Sequence, residues 1–384
     1  MKLIDRLKEY FNKEEEVEVA PEESVYQRIH KILTQYREEI MPEVEKLKGH
    51  THFLKTETEE KILRLIEEDP SCLTKLDNVN ENLGMFAAKC KLDQVVLRCL
   101  DDEEASTQQD DVSGKNIGMY AAEYGLEECV LKALDNEKAS IQQSFVTKDN
   151  IGMLAAENNL ERAVLKALDN KVASLQQDSN GTNMGMLAAF YKLETATLKA
   201  LDNFDASIQQ NNLGATIGIY AANSKLEQAT LKALDNEIAS VIKDEGGYNI
   251  GMTAAVNGME EVTLKALDNK EASLQQNYFC QNIGMLAACA KMERATLKAL
   301  DNPIASIQQD DNNRNIGMIC ARSHLEKCAL KALENREARE QYSFEGWRMK
   351  HYALNYGLDK VADRSEELDC EVGFNTSTNN EIVF

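Results

Sequence analysis

The residues of this chain best suited to chemistry are its five histidines, nine cysteines and repeated Asp-Asn pairs. Type and spacing decide which reaction each permits. His50-Thr-His52 offers two imidazoles to one metal ion, but no third ligand follows at a recognisable spacing. His30, His324 and His351 stand apart from them. The cysteines (Cys72, Cys90, Cys99, Cys129, Cys280, Cys289, Cys320, Cys328 and Cys370) are odd in number and irregularly placed, and no Cys-x-x-Cys occurs. Cys129 aligns with Ala163 and Cys320 with Ala188 in the pattern described below, so they read as small core residues in a reducing compartment. Asp135-Asn136 and Asp268-Asn269 lack the alternating oxygen ligands and terminal Glu of a calcium loop. No phosphate-cradling glycine loop, nucleophile elbow or metalloprotease helix is present. The sequence therefore assigns no catalytic residue, no metal and no cofactor, and a non-enzymatic protein is expected.

Charge narrows the partners. The formal net charge of −22 and isoelectric point near 4.8 argue against nucleic acid, whose phosphates need clustered Lys and Arg. An acidic surface favours solubility and, weakly, a basic partner. No run of 18 apolar residues is present to span a membrane. Residues 1–11 lack the continuous apolar stretch of a signal peptide. A cytoplasmic, reducing location is expected; the sequence leaves secretion as an effector open.

The positioning elements are written in a repeat. Glycine recurs before methionine or isoleucine at Gly84, Gly118, Gly152, Gly185, Gly218, Gly251, Gly284 and Gly317, at intervals of 34 and then 33 residues. A period of this length marks a stack of supersecondary units with one long surface and no single deep core pocket. In the copy from Asn150 to Gln177, Asn150 is placed to cap a short helix whose inner face is Met153, Ala155 and Ala156. A second helix spans roughly 160–169, with Leu160, Ala163, Val164, Leu165, Ala167 and Leu168 apolar. Asn170 reads as its stop, and the residues to Gln177 as a polar connection. Gly152 is costly inside a helix, so its recurrence points to close approach of a neighbouring repeat. The recurring Asn residues (116, 150, 183, 249, 282, 315) and the Gln-Gln pairs can form amide ladders along the stack.

This gives an all-α solenoid with an N-terminal helical cap. Residues 1–22 are an amphipathic helix and acidic linker, with Leu3, Ile4, Leu7 and Phe11 on one face. Residues 23–76 are the cap, 77–363 the array of eight regular copies and one divergent copy, and 364–384 a disordered acidic tail.

From about Asn82 through Gly357 the array resembles ankyrin repeats in period, helix-pair layout and the Ala-Ala of the first helix. The glycine that follows in some copies (Gly125, Gly258) and Asp178-Ser-Asn-Gly181-Thr-Asn183 also resemble the family. The last copy, Gly346-Trp-Arg-Met-Lys-His351-Tyr-Ala353, is similar to its Gly-x-Thr-Pro-Leu-His-x-Ala signature. Elsewhere the tetrapeptide is Asn-Ile-Gly-Met, as at Asn116–Met119, and the Leu-Leu of the second helix is Leu-Lys-Ala-Leu. The resemblance implies hairpin-like fingers and a groove that binds other proteins, with His351 bonding inside its own turn.

Function is then sought where the copies differ. Exposed aromatics and Arg are the commonest hot spots, which selects Tyr124, Phe145, Phe190, Tyr191, Tyr248, Tyr278, Phe279, Arg314 and Arg322. The expectation is a monomeric protein-binding scaffold or adaptor whose partner is an unidentified protein. The alternatives are a self-assembling repeat protein, or a targeting adaptor docking through its N-terminal helix.

Overall fold

The computed structural model describes the backbone of residues 23–42 and 52–378, and the side chains of 23–42 and 54–370. The expected docking helix at 1–12 and the imidazoles of His50 and His52 lie outside the described residues. Among these residues the secondary structure is helical, with isolated bridges Leu76 to Asn82 and Gln177 to Asn183 and no strand. No described helix is long and apolar enough to cross a membrane. The all-α repeat class is thus what the chain adopts. It divides into two compact units, Met1–Val146 and Thr147–Phe384.

In the first unit, Ser24 and Gln27 form a reciprocal capping box that starts the helix Val25–Gln35. That helix and His52–Glu68 bury Ile29, Leu33, Ile62 and Ile66. They cover the first repeat, whose helices are Leu83–Lys89, Asp93–Cys99 and Glu103–Thr107. His30 packs on Phe86 at 5.2 Å between ring centroids, and Glu59 accepts the Gln94 backbone N–H at 3.0 Å. One further repeat follows, Ile117–Glu123, Glu127–Ala133 and Glu137–Ser140.

The second unit repeats the same design from Ile151 onward. Each regular copy holds three helices, not two, and the divergent last copy holds two, Met349–Asn355 and Asp359–Thr378. In the first copy these are Ile151–Glu157, Glu161–Ala167 and Lys171–Leu175. The polar connection expected after Asn170 is mostly the third helix. The Asn170 side chain accepts the N–H groups of Val172 and Ala173, so the apparent stop of one helix is the cap that starts the next. The second helix has no side-chain cap, but carries Glu161 in its first turn and Lys166 in its last, matching the helix dipole.

Glycine at the first helix has the packing reason expected of it. A Cβ on Gly152 would lie 2.6 Å from the Ala167 Cβ of its own second helix and 2.7 Å from the Met184 sulfur of the next repeat. Only glycine leaves room here for both the Ala167 methyl and the Met184 side chain.

The recurring polar side chains are consumed inside the stack. Asn183 accepts the Met186 N–H at 3.0 Å and donates to the Ala206 carbonyl at 3.1 Å and to Gln209 Oε1 at 2.9 Å. Gln209 in turn donates to the Leu175 carbonyl of the preceding repeat at 2.9 Å. The next glutamine, Gln210, donates to Gly214 O and to Lys243 O of the following repeat. Asn236, capping a third helix, reaches back to Ser207 Oγ at 2.9 Å. On the second helices, Lys232 bonds Leu198 O at 2.8 Å and Asp202 at 2.6 Å, both one repeat earlier. The amide ladder expected from the sequence is therefore one part of a larger inter-repeat network.

Two further expectations change. Residues 364–378, placed from sequence in a disordered tail, continue the helix Asp359–Thr378. Val361, Ala362 and Ser365 are buried there, Leu368 packs on the last core cluster, and Asp369 pairs with Arg339 at 3.4 Å. The chain keeps burying apolar surface after its period is lost. The cysteines divide: Cys72, Cys90, Cys99, Cys129, Cys320 and Cys328 are buried, whereas Cys280, Cys289 and Cys370 are exposed and are not core residues.

Candidate functional site

Between third and first helices the second unit projects short turns, or fingers. Each is wound around one side-chain oxygen. Asp178 Oδ1 accepts the N–H groups of Asn180 and Thr182, and Asn211 Oδ1 those of Leu213 and Ala215. Asp244, Asn277 and Asp310 repeat the pattern. This Asx geometry fixes the tip with almost no core of its own. Successive fingers are tied by single backbone bonds: Asn212 N to Asn180 O at 2.8 Å, Glu245 N to Leu213 O at 2.8 Å, Asp311 N to Phe279 O at 3.2 Å.

Where the fingers face the ends of the first helices, a cleft of about 500 Å³ opens in this unit. Phe190, at the end of Met184–Phe190, forms one wall, and Tyr220 of Ile217–Asn223 the floor. Leu213 and the Asp244–Gly246 tip form the opposite side, and Lys192 stands at the rim. Phe190 is 58% exposed and meets Tyr191 edge-on at 5.0 Å and Tyr220 at 6.3 Å. Asn211 donates to the Tyr220 hydroxyl at 3.0 Å, fixing the ring against its finger. The result is a mainly apolar and aromatic concavity with charged edges, the shape and chemistry of a binding surface.

The residues singled out from the sequence disperse. Phe190 and Tyr191 sit together in the second unit. Tyr278 and Phe279 share one tip there, 73% and 58% exposed. Tyr248 lies at a finger base and packs on the core around Met252 and Ile283. Arg314 is committed to its own finger: Nε and Nη2 donate to Asp310 Oδ2 at 2.9 and 2.7 Å, against a carboxylate that is 1% exposed. It holds a turn. Arg322 is exposed at the end of Ile316–Arg322. In the first unit, Tyr124 is half-buried, with its hydroxyl pKa raised by burial, and Phe145 lays its ring over Gly114 of the preceding finger.

Sequence reasoning missed Tyr220, Leu213 and Lys192. Tyr220 occupies the position filled by Leu154, Leu187, Thr253, Leu286 and Ile319 in some copies and by Phe86, Tyr120 and Tyr352 in others, inside the segment assigned to packing. An aromatic side chain where other copies are aliphatic was the available signal. Burial pushes the Cys90 and Cys129 thiols each up to about 12, away from the reactive thiolate. No group of three or more His, Cys, Asp or Glu placed to hold a metal ion occurs among the described residues. No protein-family model matches the chain, and no curated protein matches it.

Proposed function

We propose that this chain is a non-enzymatic protein-binding scaffold or adaptor built on an ankyrin-like array, and that it holds a segment of a partner in the cleft around Phe190, Tyr220 and Leu213. The observation that carries this is a division of labour between residues. The side chains that repeat are spent on caps, ladders and inter-repeat bonds, while the side chains that vary leave aromatic and apolar surface open in the cleft. The ankyrin-like identity is supported by the fingers, by the left-handed glycines Gly258 and Gly357, and by His351, whose Nδ1 accepts the Arg348 N–H at 3.0 Å within its own turn. The short third helix is a departure from the helix-pair layout of that family.

The test is selection of peptides on the immobilised chain from a random library. The selected peptides should compete for one site. Phe190→Ala with Leu213→Ala should weaken them at least about tenfold, the range of a hot-spot loss, with helicity by circular dichroism unchanged. Full affinity in the double variant would place the site elsewhere.

A second reading, self-association, is favoured by one separate observation. Val172, Phe204, Ile238 and Ile304 stand on the third helices of four repeats and are each 52–59% exposed. Sedimentation equilibrium over a wide concentration range decides it. Under the first reading the mass stays at the monomer's 43.1 kDa; growth with concentration would favour the second, and Ile238→Asp would then reverse it.

A further inference from the structure

We infer that the partner segment is extended and uncharged, and that it places two apolar anchors, about five or six residues apart, on two equivalent subsites of this surface. This rests on the cleft being a binding site and adds the length, spacing and charge of what fills it.

The exposed surface of the second unit has a longer period than its fold. Packing positions recur in every repeat; exposed apolar positions recur in every second one. On the wall, Phe190 ends the first helix Met184–Phe190, and Val256 ends the first helix two repeats later, Ile250–Val256; both are exposed. Asn223 and Cys289 hold that position in the copies that follow them. On the fingers, exposed Leu213 is matched two repeats later by exposed Phe279, with Gly246 and Asn312 at the alternate tips. The third helices alternate as well, in the opposite phase: Val172, Ile238 and Ile304 are exposed, with Asp205 and Glu271 between them. The same alternation on two faces means that exposed side chains are placed by pairs of repeats. The series on the wall stops at Arg322, where a guanidinium replaces the apolar group. Two complete subsites remain, and their backbones match. Glu245 N bonds Leu213 O in the first, and Asp311 N bonds Phe279 O in the second. The floor changes from Tyr220 to Leu286 and stays apolar.

Spacing then sets the occupant. Neighbouring helices pack about 8–10 Å apart, so two repeats separate the subsites by roughly 16–20 Å. An extended chain rises about 3.3 Å per residue and covers this in about five or six residues. A helix rises about 1.5 Å per residue and needs about eleven to thirteen. The extended form is favoured by what lies between the anchors. Asn223 and Ser224 belong to the intervening repeat and line the cleft. Their amide and hydroxyl suit the free N–H and C=O groups of an extended backbone, whereas a helix has already paired its own. Charge along the strip is balanced. Lys192, Lys225 and Lys291, in the left-handed turns after their first helices, stand against Asp244, Glu245 and Asp311 of the fingers. Asp310 is held by Arg314. A charged segment of either sign meets as many like groups as opposite ones, so the complement of this strip is an uncharged segment.

The test uses the full chain and labelled peptides of one length and composition, built from Ser, Thr and Gln with two Phe residues six, three or eleven positions apart. Fluorescence anisotropy at physiological salt should rank the spacing of six first, about tenfold tighter than three, which reaches one subsite only. Val256→Ala with Phe279→Ala should bring the first peptide down to the level of the second, with helicity and melting temperature unchanged. Ile304→Ala, on a third helix, should bind like the parent. Lys or Glu placed between the anchors should gain nothing. Tightest binding at the spacing of eleven would mean a helical occupant and overturn the inference. Indifference to spacing, no binding of any of these peptides, or an about tenfold gain from either charge would overturn it too. Failure here stays separate from failure of the cleft itself: library peptides lost on Phe190→Ala with Leu213→Ala but indifferent to Val256→Ala with Phe279→Ala would sink the second subsite alone.

Discussion

Asn183→Ala should lower stability by about 2–4 kcal/mol, read from the urea midpoint by circular dichroism. Asn183 is fully buried and makes three hydrogen bonds at once. Losing the cap costs about 1 kcal/mol. Leaving the buried Ala206 carbonyl and the half-buried Gln209 amide oxygen without their donor adds about 1–3 kcal/mol. The chain contains its own control. The same pairing, 26 residues apart, joins Asn82 to Gln108, Asn116 to Gln142, Asn150 to Gln176, Asn249 to Gln275, Asn282 to Gln308 and Asn315 to Gln341. In one copy both members differ: Thr216 stands where Asn is expected and Ile242 where Gln is expected. Thr216 keeps only the cap, accepting Ile219 N at 3.4 Å. Installing Thr216→Asn or Ile242→Gln alone should gain nothing, because each introduces an amide without its mate. The two together should show a favourable coupling of about 1 kcal/mol. Strict additivity would mean the Asn–Gln bond contributes little to the stack.

Gly185→Ala should also destabilise, against the sign of helix propensity. Alanine is favoured over glycine in a helix by about 1 kcal/mol. The new Cβ, however, would fall 2.5 Å from Ile217 Cδ1 and 2.7 Å from Ala200 Cβ. The isoleucine tip can turn aside; the alanine methyl is fixed to its helix and cannot. Separating the helices enough to admit it costs about 1–3 kcal/mol, so a net loss of about 1–2 kcal/mol is expected, and more for Gly185→Val. Gly258→Asn is the control, since Asn159 already holds the equivalent turn at φ 57°; little change is expected there. A raised melting temperature for Gly185→Ala would show that the close packing is not obligatory.

Much of this architecture was legible in the sequence because it repeats. The glycine, the Ala-Ala pair and the capping Asn each recur at one spacing, and only a stacked element explains that. The third helix was not legible. Lys-Val-Ala-Ser-Leu is short, and the Asp-Asn before it looks like a terminus; Asn170 both follows one helix and caps the next. The last helix was hidden because residues beyond 364 lose the period while still placing Ser365 and Leu368 inward. The cleft was legible only in part. Phe190 and Tyr191 announce themselves as aromatics at a polar position. Lys192 does not, because a residue's φ is invisible in its name, and Tyr220 hides inside a segment that packs in its neighbours. Arg314 appeared as a free cation because the carboxylate that takes it, Asp310, is also the hub of its turn. Which variable residues share one concavity depends on how fingers approach first helices, and no periodicity encodes that.

The most direct test of the central claim is photo-crosslinking of a library-selected peptide carrying a benzophenone. The account predicts crosslinks within 190–192, 213–220 and 244–246, abolished by Phe190→Ala with Leu213→Ala. Crosslinks concentrated on the second or third helices, or unchanged in that variant, would contradict it.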